Sequence, residues 1–406
     1  MSAEALEIVR LGARGDGIAE AAEGPRFVPF ALPGERVRGG EVGLPQLLAA
    51  PSPERQAPLC RHFGLCGGCV AQHMRERLYA AWKHGIVVEA LRQRGLRPEV
   101  APLLPVPLAS RRRAILTARL EGGSIVLGYH PRDSHALFEV QECPVLEPQI
   151  VERLDALRAI AAVLGQGEIR FTVLATPAGL DVAVAAAPGL NAKQSAQLAQ
   201  IAAKYRLARI AVAAQIITQR AVPSLAFAGV AVSPPPGGFL QAVAQAESAI
   251  AAEVTAAVGK VKRAADLFCG IGTLTFALAR SAMVAAFDND PDAIVALGAA
   301  ARQANGLKPI EAKVRDLMRE PLAARELAAF DVVVFDPPRA GAKAQAAELA
   351  RSSVPSIVAV SCAAGSLARD VRILVDGGYR LERVAPIDQF LFSAHVEVVA
   401  SLRRPR

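Results

Sequence analysis

From about residue 240 onward, short apolar runs alternate with stretches whose apolar positions recur at helical spacing. The runs RAADLF, MVAAFD, DVVVFD and SIVAVS predict strands, and 273–280, 291–304, 343–351 and 365–376 predict the helices between them. Strands apolar at nearly every position are buried on both faces. Alternating with helices, they predict an α/β fold with a doubly wound, Rossmann-like parallel sheet. Two further runs, YRLERVAPIDQF and HVEVVASLR, are so closely coupled that the second is expected to run antiparallel to the other strands.

Upstream the pattern changes. Residues 53–235 are mixed α+β, with helix-compatible spacing over 72–94 and strand-like RRAILTARL, SIVLGYH, IRFTVLAT and ARIAVAAQII. SPPPGGF (233–239) is a stiff break. Residues 1–52 carry short apolar pieces (LEIVRL, RFVPFAL, ERVRG) punctuated by Gly and Pro, the pattern of a small β-barrel, and PSPER (51–55) reads as its exit. The expected units are therefore 1–52, 53–235 and 236–406.

The 406 residues are 52% hydrophobic and 21% charged, which excludes a disordered chain. No signal-peptide pattern and no apolar run of about 18 residues is present, so a cytoplasmic protein without membrane association is expected. A formal net charge of +8 leans toward a polyanionic partner. Local clusters such as Arg111, Arg112 and Arg113 carry that reading further, although each is also an ordinary solvated surface feature.

DLFCGIG (266–272) is a strand end, a glycine turn and a helix start, an arrangement that lets backbone approach a ligand. Alone it is a common turn. Phe268, Asp288, Asp316 and Asp336, however, all fall at successive strand tips, and open α/β sheets bind ligands outside those carboxyl ends. Without a full GxGxxG, the turn suits S-adenosylmethionine, which has no pyrophosphate, better than a nicotinamide dinucleotide. The next strand ends at Cys362, beside a helix start expected to favour its thiolate. Glu397, opening the last strand, is expected at the same edge. A methyl donor, a thiolate and a carboxylate together suit methylation of carbon 5 of a uracil. The thiolate adds to carbon 6, and a base later removes the proton from carbon 5. In structured RNA the target base must first leave its stack.

Cys60, Cys66 and Cys69 stand in CRHFGLCGGC, and Cys143 follows in ECPVL. Four thiolates suit zinc or an iron–sulfur cluster, and the three-plus-one layout leans to the latter.

Over nearly its whole length the chain resembles the RNA (uracil-5-)-methyltransferases, specifically the iron–sulfur branch acting on 23S ribosomal RNA. GDGIAE, FVPFALPGE and PSPER are similar to that family's N-terminal TRAM barrel, and CRHFGLCGGCVAQHM with ECPVL to its [4Fe-4S] motif. GGFLQA, DLFCGIGTLTFALA, FDPPRAG, SCAAGSLARD and HVEVVA are similar to its catalytic blocks, in order. The resemblance implies a class I methyltransferase sheet joined to a central iron–sulfur and RNA domain. It implies S-adenosylmethionine contacts at Gln241, Phe268, Thr273, Asp288, Asp316 and Asp336, and contacts to the substrate base at Phe239 and Gln241. Cys362 is implied as nucleophile and Glu397 as base, with Cys60, Cys66, Cys69 and Cys143 holding the cluster; Asp336 is expected to position the ring or the cofactor's charged end. The cluster implies ribosomal rather than transfer RNA, and a monomeric enzyme is expected. The family's Phe-x-Gln-x-Asn here reads FLQAV, with Val243 in the Asn place. Competing readings are methylation of a transfer RNA uridine or of an RNA cytosine, and a non-catalytic iron–sulfur RNA-binding protein.

Overall fold

A computed structural model describes residues 5–38, 43–132, 134–165, 167–185 and 189–405. The C-terminal sheet has seven strands: β1 Arg263–Leu267, β2 Met283–Asp288, β3 Ile310–Val314, β4 Val332–Phe335, β5 Ser356–Ser361, β6 Arg380–Ile387 and β7 Glu397–Arg403. Their spatial order is β3-β2-β1-β4-β5-β7-β6. Strands β1 to β5 are parallel, and β7 runs antiparallel to both β5 and β6. The order reverses between β1 and β4, which opens a crevice at their carboxyl ends.

Side chains alternate across a strand, so these apolar runs feed two cores. Val333, Phe335, Ile357, Ala359 and Val398 enter one core, while Val332, Val334, Val358, Val360 and Val399 enter another. Between the strands lie helices Thr273–Ala279, Pro291–Gln303, Lys343–Arg351 and Ala364–Asp376, close to the expected ranges, and one short unexpected helix, Ala324–Leu327, between β3 and β4. Helix Ala244–Val258 precedes β1. Val243 stands at its N-cap, buried and without a side-chain hydrogen bond, so nothing replaces the cap an Asn would supply.

The central sheet also has seven strands, built on Arg113–Glu121 and Glu168–Thr176 and covered by helices Leu154–Leu164 and Ala192–Lys204. ARIAVAAQII, expected as one strand, is a hairpin of Arg209–Val212 and Gln215–Gln219. Ala213 and Ala214 make its turn at φ 49° and 66°, positions where glycine would have signalled the break. Two three-stranded sheets enclose Ile8, Ala19, Val28 and Val37 at the N-terminus. Residues 1–4 and 39–42 of the expected barrel lie outside the described residues.

Helix Glu76–Arg92 packs away from the central sheet. Its Val87 and Leu91 join the core of the C-terminal sheet, and Tyr79, Trp82 and Lys83 reach the segment before β7. The hairpin Leu225–Phe227 and Val230–Val232 likewise packs on Ile271, Phe276 and Leu297, so the chain upstream of SPPPGGF embraces the C-terminal sheet. No helix among the described residues is long and apolar enough to cross a membrane.

Candidate active site

The crevice begins at the turn after β1. Phe268 sits at φ 63°, a left-handed conformation costing about 1–2 kcal/mol for an L-residue. It is held there by Cys269 N donating to Phe287 O at 3.0 Å. Gly272, at φ 98°, caps helix Thr273–Ala279, and a Cβ on it would lie 2.7 Å from the Phe276 ring. Asp288, at the tip of β2, accepts from Gly270 N at 2.8 Å and from Asp290 N at 2.9 Å. Each of its oxygens keeps a further lone pair for a hydroxyl. Thr273, half-buried, is the first residue of the helix. Asp316 lies two residues past β3, half-buried, and accepts from Met318 N and Arg319 N at 3.0 and 3.3 Å, so it is first of all a turn cap.

Asp336 follows β4 directly, Cys362 follows β5 directly, and Glu397 opens β7. Because β7 is antiparallel, all three stand at one edge. A hydrogen-bonded chain joins the two carboxylates. Gln241 Nε2 donates to Asp336 Oδ2 at 3.0 Å. Gln389 Nε2 donates to Gln241 Oε1 at 2.7 Å and to Glu397 Oε2 at 2.8 Å. Gln241, Gln389 and Glu397 are all buried.

Burial pushes Asp336 up to about 7, partly offset by the Gln241 hydrogen bond. Burial and then repulsion from Asp336 push Glu397 well above the usual carboxylate range. The thiolate expectation for Cys362 is not met in the unliganded site. Burial, then Glu397 and Asp336, push the thiol up to about 11, with Arg339 pulling weakly the other way. The helix start beside it is a local effect, and the loss of water together with two nearby carboxylates outweighs it. Below this edge Asp266 is buried and pushed up to about 7, with Thr275 Oγ1 donating to it at 2.6 Å.

The mouth is basic and aromatic. Phe239 is 67% exposed, with the Arg113 guanidinium 5.7 Å from its ring centre. Arg111 lies 6.0 Å from the ring of Phe390. Buried Arg112 pairs with Glu247 at 2.6 Å and donates to Gln241 O at 3.2 Å, which fixes the strip carrying Phe239 and Gln241.

Cys60, Cys66, Cys69 and Cys143 gather beside helix Glu76–Arg92. Burial comes first, but mutual repulsion also raises the thiols of Cys60, Cys69 and Cys143, with Cys69 pushed up to about 12. Gly67 adopts φ 75°, and a Cβ there would meet His130 O at 2.7 Å. Among the described residues no three His, Cys, Asp or Glu side chains are arranged to hold a metal ion, so the expected metal site is present as four neighbouring free thiols.

A family profile described as tRNA (Uracil-5-)-methyltransferase matches residues 237–405. An RNA methyltransferase of Rhizobium meliloti is 47% identical over 100% of both chains. The 23S rRNA (uracil(1939)-C(5))-methyltransferase of Chromohalobacter salexigens is 34% identical over 99% of this chain and 90% of that one. The chain belongs to the RNA (uracil-5-)-methyltransferase family. The tRNA (uracil-54, C5)-methyltransferase of Pyrococcus abyssi, solved with S-adenosyl-L-homocysteine, shares the fold at a TM-score of 0.77, 22% identity, and 99% and 100% coverage. This member of the family is thus an S-adenosylmethionine-dependent RNA methyltransferase with a Rossmann-like catalytic sheet.

Sequence reasoning missed Gln389, the Arg112–Glu247 pair, and Lys83, Tyr79 and Asp388. The Asp388-Gln389 pair in PIDQF, just upstream of HVE, is the one local signal for any of them.

Proposed function

We propose that this enzyme converts a specific uridine of 23S ribosomal RNA to 5-methyluridine, in the cytoplasm, through a covalent adduct on Cys362. The observation that carries the reading is the single edge holding Cys362, Asp336 and Glu397, with the carboxylates bridged by Gln241 and Gln389. Phe268, Thr273, Asp288, Asp316, Asp336 and Gln241 line the S-adenosylmethionine site, and the open space over Gly270, where a Cβ would meet nothing within 4 Å, suits that ligand. The cofactor supplies an electrophilic methyl group. Phe239 offers a stacking face for the flipped base and Gln241 a polar contact.

Cys362 adds as thiolate to carbon 6, moving the ring's π electrons onto oxygen 4 as an enolate. Carbon 5 would then take the methyl group as the methyl–sulfur bond breaks, the enolate returning to a carbonyl and S-adenosylhomocysteine leaving. Glu397 removes the remaining proton from carbon 5, the carbon 5–carbon 6 double bond reforms, and the thiolate leaves. A cation bound in the cleft favours the ionised forms of Cys362, Asp336 and Glu397, which burial disfavours.

The 23S assignment rests on the similarity to the Chromohalobacter enzyme and on the four cysteines. In this reading Cys60, Cys66, Cys69 and Cys143 hold a [4Fe-4S] cluster. Four thiols are the donor set such a cluster would take, and the left-handed Gly67 between two of them would let the loop fold around it. The sheets of 1–52 and 53–235 present the RNA, and 236–406 transfers the methyl group.

The test is incubation with 5-fluorouridine RNA and S-adenosylmethionine. Wild type forms a covalent protein–RNA complex and Cys362→Ala does not; an unchanged methylation rate in Cys362→Ala overturns the mechanism. Mapping 5-methyluridine in RNA from a strain lacking the protein decides the substrate. One mark missing from 23S RNA is expected, and a loss confined to transfer RNA overturns that assignment. Anaerobically purified protein should carry about four irons per chain, with Cys66→Ser reducing that content.

A further inference from the structure

Glu397 has two carboxylate oxygens, and its surroundings treat them differently. Oε2 accepts from Gln389 Nε2 at 2.8 Å, while Oε1 is buried without a partner among the described residues. The same amide nitrogen of Gln389 also donates to Gln241 Oε1 at 2.7 Å, and Gln241 in turn donates to Asp336. The polarity of this chain is forced. Asp336 and Glu397, when ionised, only accept, so Gln241 must turn its nitrogen to Asp336 and its oxygen to Gln389. Gln389 must then turn its nitrogen inward to both neighbours, which leaves its own oxygen unpartnered.

Gln389 has little freedom to leave. It is 2% exposed, and its N–H donates to Ile387 O at 3.0 Å. Asp388 beside it is gripped by Tyr79 Oη at 2.7 Å and Lys83 Nζ at 2.8 Å, both from helix Glu76–Arg92. The amide therefore arrives at Glu397 from a fixed direction.

We infer that Gln389 is a positioning residue for the proton-abstraction step: it occupies Oε2 of Glu397 and so leaves Oε1 as the one oxygen free to take the carbon 5 proton. The inference rests on the reading of Glu397 as the base. Gln389 touches no reacting atom; it acts through Glu397 and, by its second amide hydrogen, also holds Gln241. Its loss lets the carboxylate turn, and a misplacement of about 1 Å in a reacting group costs about a hundredfold in rate. The step that uses Glu397 is slowed most, whereas Cys362 addition and methyl transfer feel only the lost bond to Gln241, which Asp336 still accepts from.

The experiment separates the steps in Gln389→Met, which keeps the volume and removes the amide, and in Gln389→Asn, which keeps an amide too short to reach. With 5-fluorouridine RNA carbon 5 carries no proton, so adduct formation reports only addition and methyl transfer. That rate, which also reads the lost hydrogen bond to Gln241, is expected to fall far less than product release. With uridine RNA, release of methylated product is expected to fall about a hundredfold while the methylated covalent complex accumulates. Urea midpoints followed by Trp82 fluorescence confirm that each variant is folded, and Gln389→Asn serves if the Met variant is not. Adduct formation and product release falling together, or neither falling, overturns the inference. Glu397→Gln run in parallel keeps the two readings apart. If it turns over normally the base assignment itself is wrong; if it traps the adduct and the Gln389 variants do not, only the role of Gln389 is wrong.

Discussion

Lys83 is the largest fully buried side chain, with no exposed surface, and it holds the segment leading into β7. Its ammonium lies 2.8 Å from Asp388 Oδ1 and donates to the carbonyls of Phe390 and His395, the former at 3.0 Å. Replacing it with Met keeps most of the volume but strands Asp388 with only the Tyr79 hydroxyl, and leaves two carbonyls without their donor. Breaking a buried pair by removing one partner costs about 3–5 kcal/mol, because the remaining charge has lost both water and counter-ion. At a urea slope of about 2–3 kcal/mol per M, the unfolding midpoint should drop by about 1–2.5 M.

The chain has one tryptophan, and Trp82 is adjacent to Lys83, buried, with its indole N–H donating to Gly12 O at 2.9 Å. Its fluorescence therefore reports this region directly. Adding Asp388→Asn to Lys83→Met should recover roughly half of the loss, since no uncompensated charge then remains. The exposed Arg26–Glu23 pair, with side chains 58% and 84% exposed, is the control, and Arg26→Ala should cost less than about 0.5 kcal/mol. A loss under about 1 kcal/mol for Lys83→Met, or a double variant no better than the single, would refute the reasoning that a stranded buried charge dominates.

Three further outcomes follow from the site. Asp336 at about 7 and Glu397 above the usual range are lowered by a bound cation, so S-adenosylmethionine binding at pH 7 should release protons and tighten as pH rises from 6 to 8; calorimetry in buffers of different ionisation enthalpy reads this, and proton uptake would contradict it. With its thiol at about 11, free Cys362 should be alkylated slowly by iodoacetamide at pH 7 and about tenfold faster per pH unit up to 10, as peptide mass spectrometry can follow; a plateau below pH 8 would mean a pre-formed thiolate. Phe239→Ala should raise KM for RNA about tenfold or more, as expected for a lost stacking face, with S-adenosylmethionine affinity unchanged by equilibrium dialysis; an unchanged KM would remove Phe239 from the RNA site.

The sheet was legible because its signal is local. Runs such as DVVVFD and SIVAVS are apolar at every buried position but Ser361, and once their alternation with helices is recognised the topology carries Asp336, Cys362 and Glu397 to one edge with little further information. What could not be read locally depends on contacts between distant parts of the chain. Tyr79 and Asp388 are 309 positions apart, and Gln389 is 148 from Gln241; Tyr79, Asp388 and Gln389 each look, in their own neighbourhood, like exposed residues. Cys362 makes the same point in the opposite direction. Its neighbourhood in sequence, a strand end before a helix, favours a thiolate, whereas its neighbourhood in space, burial first and then the carboxylates of Glu397 and Asp336, favours a thiol. A local motif can thus name the nucleophile correctly and still mistake its resting state. The charge that controls a buried sulfur comes from whichever elements the fold sets against it, and here those are β4 and β7, 26 residues before and 35 residues after it in the chain.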